Sequence, residues 1–444
     1  MDWSRPGAAV RSLRHRFSPR NAAEVVAVLV LLTVALSTLS SSTRRPAGPL
    51  QSRACAFPAI FNFGDSNSDT GGKSAAFHRL LPPNGDTFFG TSSGRYCDGK
   101  VILDFIAEKL GLPFLSAYLD SMGTNFRHGA NFATGGSTIQ PVDTRIFEGG
   151  FSPISLDIQL SQFEQFKAHT LELHAGKSDY AKSSLPRPED FSKALYTMDI
   201  GQNDLHATLK SMTEKQALAS IPNILNKFAV AVERLYQQGA RAFWIHNTGP
   251  IGCLPHYFVF DPPESNATDK NGCLASYNKI AQEFNMQLKT LVSKLRLRLV
   301  GTTLNYIDIY SAKYTLISEA QKHGFGGPLE YCCGHDGDYT VYCGQKAIVN
   351  GTEVVGDSCS DPSKVISWDG VHYSHAANQW VANRVVDGSS RMFRFLSRNH
   401  VTSPFTPDHC VQKVNSPEVA IHLSKYSSFS IPKVQLNQSG SEHS

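Results

Sequence analysis

The pattern that most restricts the fold is an alternation between two hydrophobic periods. Short β-like runs, Ala59 to Phe63, Leu195 to Ile200, Ala242 to Asn247 and Leu304 to Ile309, are separated by longer stretches of helical period. Chains that alternate in this way build a parallel sheet whose crossover helices cover its faces. Between the last two runs, Tyr277, Ile280, Ala281, Phe284, Leu288, Leu291, Val292 and Leu295 recur at intervals of three and four, which aligns them on one helical face. Ile224, Leu225, Phe228, Val232 and Leu235 repeat the pattern, with Gly239 as the C-cap. Val101 to Leu110, closed by Gly111 and Pro113, and Ser374 to Val386 complete the helical set. The sum predicts an α/β fold, a three-layer α/β/α sandwich.

Domain organisation follows from what interrupts this alternation. The chain has 444 residues, 41% of them hydrophobic, enough for a large core. No repeat or low-complexity linker breaks residues 55 to 400, so a single domain over residues 55–410 is expected. Inside it, Gly- and Cys-rich Gly324 to Asp361 reads as a disulfide-tied excursion from the sheet edge, and the polar residues 411–444 read as a mobile tail. Residues 1–50 read as a signal or targeting segment, because Arg5, Arg11, Arg14, Arg16 and Arg20 precede the apolar run Val25 to Leu36 and then "STLSSSTRRPAG". That run falls short of the roughly 20 apolar residues that span a bilayer. Secretion, with no stable membrane association after leader removal, is therefore expected over retention as a signal anchor.

Two further features agree with export. The nine cysteines match no four-ligand zinc spacing and suggest structural disulfides, their odd number leaving at least one thiol unpaired. Sequons at Asn266, Asn350 and Asn437 are candidate glycan sites. The formal net charge of +4 is small, and no basic run is interleaved with aromatics, which argues against a nucleic-acid partner. A neutral small or extended molecule is the expected partner.

Ligands of open α/β sheets bind outside the carboxyl ends of the strands, so the loops after the predicted strands are where functional residues should sit. "GDSNSD" follows the first and carries Ser66; "DIGQNDL" spans the end of the second and carries Asn203; "GANFATGGST" adds two glycines beside a short apolar approach. Late in the chain, "SWDGVHYSHAANQ" sets Asp369 three residues before His372, ahead of a helix. A serine hydroxyl needs a base to become a nucleophile, and the base needs a carboxylate to fix its tautomer and support the imidazolium. Ser66, His372 and Asp369 fit those roles. Acyl transfer also needs donors for the developing oxyanion; the Ser66 N–H, a glycine N–H and the Asn203 amide form a candidate set.

Two rivals stand beside this set. "GTSSG" satisfies a nucleophile-elbow pattern through Ser92, but its neighbours are turn-like where the elbow needs a strand before and a helix after. "GHDGDY" offers His335, Asp336 and Asp338 to a metal, with no remaining ligands at a recognisable spacing.

The ordered blocks "FNFGDSNSDTGG", "GRYCDGKVILDFIAEKLGLP", "GANFATGGSTI", "DIGQNDL", "HNTGPIGCLP" and "DGVHYSHAANQWVA" resemble the GDSL esterase/lipase family of the SGNH hydrolase superfamily, in its secreted plant branch. The resemblance runs from about Pro58 to Gly388. It implies a flavodoxin-like sandwich with about five mostly parallel strands, and neither metal nor organic cofactor. Carried over residue by residue, the nucleophile falls on Ser66, the base on His372, its acid partner on Asp369, and the oxyanion hole on Ser66, Gly136 and Asn203, with Gly135 as the alternative glycine. The fourth letter of the name motif is Asn67 here. The implied activity is hydrolysis of short-chain acyl or acetyl esters of a carbohydrate or specialised metabolite, with acyl transfer left open. Some relatives are described as fucosidases; that chemistry needs two carboxylates about the scissile bond, for which Asp65, Asp69 and Asp204 are the candidates. A non-catalytic carbohydrate-binding protein is the third reading.

Overall fold

Five parallel strands, β1 (Ile60–Gly64), β2 (Gly129–Asn131), β3 (Leu195–Asp199), β4 (Ala242–His246) and β5 (Thr303–Ile307), form one sheet in the order β2-β1-β3-β4-β5. The computed structural model describes residues 57–141, 150–260, 262, 267–336 and 339–386. The expected leader, the tail, Cys55, Cys410 and the sequons at Asn266 and Asn437 lie outside them.

Side-chain alternation along the strands produces the three layers. Phe61 and Phe63 point to one face with Tyr196, Met198, Phe243, Ile245 and Leu304, while Ile60, Leu195, Trp244 and Ile307 point to the other. The first face is covered by helices α2 (Leu156–Ala175), α4 (Glu214–Gln237) and α5 (Ala275–Arg298), and the second by α1 (Ile102–Lys109), α6 (Ile309–Ser318) and α7 (His375–Val386). Helix α3 (Gln202–Ser211) follows β3 directly. Phe163 of α2 is fully buried and meets Phe61, Phe63 and Phe132 edge-on at 5.2, 5.7 and 5.8 Å. Truncating a ring in such a setting typically costs about 3–5 kcal/mol.

Two elements differ from the sequence expectation. Gly129 to Asn131, read as loop, is the edge strand β2; three residues are too few to display a period of two. Helix α4 begins ten residues before the expected Ile224 and runs through Pro222. A reciprocal Thr213–Gln216 capping box starts it, and buried Ala217 and Ile221 anchor the segment before the proline, so tertiary packing and capping outweigh the lost amide.

Residues after α6 form the disulfide-tied excursion. Cys332–Cys359 and Cys333–Cys343 staple a three-stranded sheet and a two-stranded hairpin. Exposed Asn350 and Gly351, both at positive φ, make the hairpin turn, the dipeptide such turns favour. The Cys332 and Cys333 amides donate to Trp368 O at 2.9 and 2.6 Å, which ties the excursion to the residue before Asp369. Cys253–Cys273 joins the loop after β4 to the approach of α5. Cys97 is a free, buried thiol.

In this strand order the connections reverse direction between β1 and β3, the switch point at which open sheets form their ligand crevice. Ser66 follows β1 by two residues and Asn203 follows β3 by four.

Candidate active site

The end of β1 is shaped so that the chain can turn sharply. A Cβ on Gly64 would lie 2.4 Å from Ser68 Oγ and 2.6 Å from Asp199 O, so only glycine fits that approach. The Gln159 side chain brackets Gly64, accepting from its N–H at 3.0 Å and donating to its carbonyl at 2.8 Å. Beyond it, the Ser68 and Asp69 amides donate to Asp65 O at 3.1 and 2.9 Å. The buried Asp69 carboxylate accepts from the amides of Gly71, Gly72, Lys73 and Gly135 at 2.5 to 3.0 Å. Ser66 therefore stands on a turn held from both sides.

His372 and Asp369 reach it from the loop before α7. His372 Nε2 lies 2.7 Å from Ser66 Oγ, and His372 Nδ1 lies 2.7 Å from Asp369 Oδ2. The other oxygen, Asp369 Oδ1, accepts from the amides of Val371 and His372 at 3.0 and 2.8 Å. Burial pushes the Asp369 carboxyl up, but the charge and hydrogen bonds of His372 and the Val371 amide outweigh it and hold the group below its ordinary value. This loop is anchored by the fully buried Trp368, whose indole N–H donates to Asn84 Oδ1 at 2.9 Å, and by Ser374, whose hydroxyl accepts from the Ala377 amide at 3.2 Å.

Donors for an oxyanion converge on the same crevice. The N–H groups of Ser66 and Gly136 have no acceptor among the described residues. Gly135 differs: its N–H is engaged by Asp69 Oδ2 at 2.7 Å, which leaves Gly136 as the glycine with an amide to offer. Gly136 sits at φ +84°, and a Cβ there would lie 2.2 Å from Gly150 O. Asn203, in the first turn of α3, donates one Nδ2 hydrogen to Ser137 O at 2.9 Å and retains the other.

Around the site, Tyr96, Arg95, Asp199, His246 and Lys313 were not singled out from sequence. The Tyr96 ring packs against the His372 ring at 4.8 Å, and the segment that carries it is pinned by buried Arg95, which forms a two-pronged pair with Asp104 at 2.7 Å. Beneath Ser66 lies a buried ionisable group of side chains. Asp65 Oδ1 accepts from the Asn67 N–H and side chain at 3.0 Å, while its Oδ2 is buried without a hydrogen-bond partner. Burial and the neighbouring Asp199 push Asp65 up to about 7. Burial also raises Asp199, but His246 and Lys313 outweigh it and bring that carboxyl below its ordinary value. His246 Nδ1 stands 3.5 Å from Asp199 Oδ2, an ion-pair separation rather than a good hydrogen bond. Lys313 is buried within α6, 3.4 Å from Asn67 Oδ1 and over the Tyr373 ring at 4.3 Å. Its one sequence signal was a lysine among Ile309, Ala312, Leu316 and Ile317 on an otherwise apolar helix face.

The rival residues are placed elsewhere or otherwise engaged. Ser92 lies in a loop with its hydroxyl donated to Leu80 O. Asp204 is buried and accepts from the Ile139 and Gln140 amides at 2.8 and 3.0 Å, and burial pushes it up to about 7. His335 is exposed, and no group of three or more potential metal ligands occurs among the described residues. No helix among the described residues is long and apolar enough to cross a membrane.

Known proteins resemble this chain over most of its length. The family model described as GDSL-like lipase/acylhydrolase matches residues 60–385. A GDSL esterase/lipase of Arabidopsis thaliana is 53% identical over 75% of this chain and 87% of its own length. One of Zea mays is 51% identical over 76% of this chain and 86% of its own. A protein of Arabidopsis thaliana named alpha-L-fucosidase 3 is 48% identical over 80% of this chain and 95% of its own.

Proposed function

From the premise that the chain belongs to the GDSL-like lipase/acylhydrolase family and is a carboxylic ester hydrolase, we propose that it works through an acyl-enzyme on Ser66. His372 Nε2 takes the hydroxyl proton as Oγ attacks the ester carbonyl, and Asp369 holds the imidazole with Nδ1–H toward itself and stabilises the imidazolium. The N–H groups of Ser66 and Gly136 and the second Nδ2 hydrogen of Asn203 receive the oxyanion. His372 then returns its proton to the departing alcohol, and water, activated by the same base, releases the acid. The observation that carries this reading is the unbroken relay of 2.7 Å and 2.7 Å from Ser66 Oγ through His372 to Asp369.

The proposed substrates are short-chain acyl esters of a carbohydrate or specialised metabolite, met outside the cell after removal of residues 1–50, with residues 55–410 acting as one domain and glycans on Asn266, Asn350 and Asn437. Exposure of Asn350 at its hairpin turn supports a glycan there. The glycoside-cleaving alternative is disfavoured, because Asp69 and Asp204 are buried and engaged by backbone amides. A fluorophosphonate probe tests the assignment: wild type and Ser92→Ala are expected to label, and Ser66→Ala is not. Labelling that survives Ser66→Ala would remove Ser66 from the role, and loss only in Ser92→Ala would install the elbow serine.

A further inference from the structure

A file of aromatic rings leaves the site on the His372 side. A Cβ on Gly370, between Asp369 and His372, would lie 3.9 Å from Phe260 Cε2, and the His256 N–H donates to Gly370 O at 3.0 Å. His256 stacks on Phe260 with ring centres 5.6 Å apart, and Phe260 stacks on Tyr342 at 5.0 Å with planes 12° apart. At its other end, His256 meets His206 at 5.7 Å, one helical turn along α3 from Asn203. The file therefore runs from a proposed oxyanion donor, past the loop of the proposed base, to the excursion.

Its outer ring is the informative one. Tyr342 is 64% exposed, yet it precedes Cys343, whose bridge to Cys333 fixes it to the strand that hangs on Trp368 O. A large ring held rigidly in water gives a ligand contact area at little entropic cost. Single exposed hydrophobics need no explanation; a stacked file indexed by a disulfide to the triad loop does. We propose that Tyr342, Phe260 and His256 form a subsite for a pyranose ring of the ester's alcohol part, which deepens the ester-hydrolase reading and rests on it.

The chemistry of the file selects that occupant. One face of Tyr342 is open to water, so the matching ligand has one apolar face of C–H groups and a hydroxylated rim, as a pyranose has. The inner rings carry polar edges, with His206 Nδ1 2.6 Å from Tyr257 OH, so the file is not lined by hydrocarbon alone. The bond broken joins the acyl carbon to the sugar oxygen, and that oxygen leaves with the proton His372 took from Ser66. The sugar then departs along the file while the acyl group stays on Ser66.

The test compares acetylated xylotriose, phenyl acetate and vinyl acetate on wild type, Tyr342→Ala and Tyr342→Trp. The ratio of kcat/KM for acetylated xylotriose to that for vinyl acetate is expected to fall roughly five- to tenfold in Tyr342→Ala, the loss of one stacked contact, and to recover in Tyr342→Trp. An unchanged ratio overturns the subsite, as does a larger loss on phenyl acetate than on the sugar ester. Calorimetry of xylotriose binding to Ser66→Ala protein, with and without Tyr342→Ala, separates the two readings: wild-type enzyme inert to vinyl acetate that binds the sugar through Tyr342 keeps the subsite and refutes the ester chemistry.

Discussion

Replacing Asp369 with asparagine is expected to disarm His372 while leaving its loop in place. Asp369 Oδ1 accepts two backbone amides, from Val371 and His372, and Oδ2 faces His372 Nδ1 at 2.7 Å. An asparagine can satisfy both amides only by placing its oxygen at the Oδ1 position, which turns its NH2 toward Nδ1. The flipped alternative gives up both amide bonds, each worth about 1 kcal/mol net, so the first orientation is favoured by about 2 kcal/mol. Nδ1 must then accept, the ring proton moves to Nε2, and Nε2 donates to Ser66 Oγ where it should receive. With the imidazolium's carboxylate partner also gone, kcat/KM is expected to fall about 10³- to 10⁴-fold, or about 4–5.5 kcal/mol of barrier. Hydrolysis of vinyl acetate in a pH-stat, alongside a melting curve, measures both halves of the claim. Activity within tenfold of wild type, with unchanged melting, would refute the tautomer argument.

Other expectations concern the groups beneath and beside Ser66. The Asp65 carboxyl, at about 7 in the folded chain against an ordinary 3.8, keeps a proton that the unfolded chain has released, so it lowers stability as pH rises from about 4 to about 7. Asp65→Asn is therefore expected to melt a few degrees above wild type at pH 8 and level with it near pH 4; a difference constant across that range would contradict the assignment. Asp69→Asn offers one acceptor oxygen where the carboxylate holds four amides, and a loss of about 3–5 kcal/mol in denaturant unfolding is expected, with a loss under 1 kcal/mol counting against it. Cys97 is buried, and burial and Asp98 push its thiol well up, so peptide mapping after native iodoacetamide treatment should find it unmodified and after denaturation modified.

The layers of the fold were legible because they are written in local periods. Phe61 and Phe63 alternating with Ile60 and Asn62, and the three-four spacing from Ile280 to Leu295, need no distant partner to be read. The order of the motif blocks was equally legible, and with it Ser66, Asn203, Asp369 and His372. What those residues make of one another was not. Ser66 and His372 are 306 positions apart, and only the return of α7 to the sheet, with Trp368 buried against Asn84, brings Nε2 within reach of Oγ. The neighbouring glycines Gly135 and Gly136 are equivalent in the string of letters; Asp69, claiming one amide across 66 positions, distinguishes them. Lys313 lies on an apolar helix face in the sequence, but only the packing of α6 shows it over Tyr373 beside Asp65 and Asp199. Sequence by itself determined the periods, the turn residues and the chemical inventory, because these are local properties of the chain. Tertiary structure decided which amides remain open, which carboxylates are desolvated and which rings line up beside Ser66, His372 and Asp369, because desolvation and hydrogen-bond competition depend on what distant segments bring to the same place.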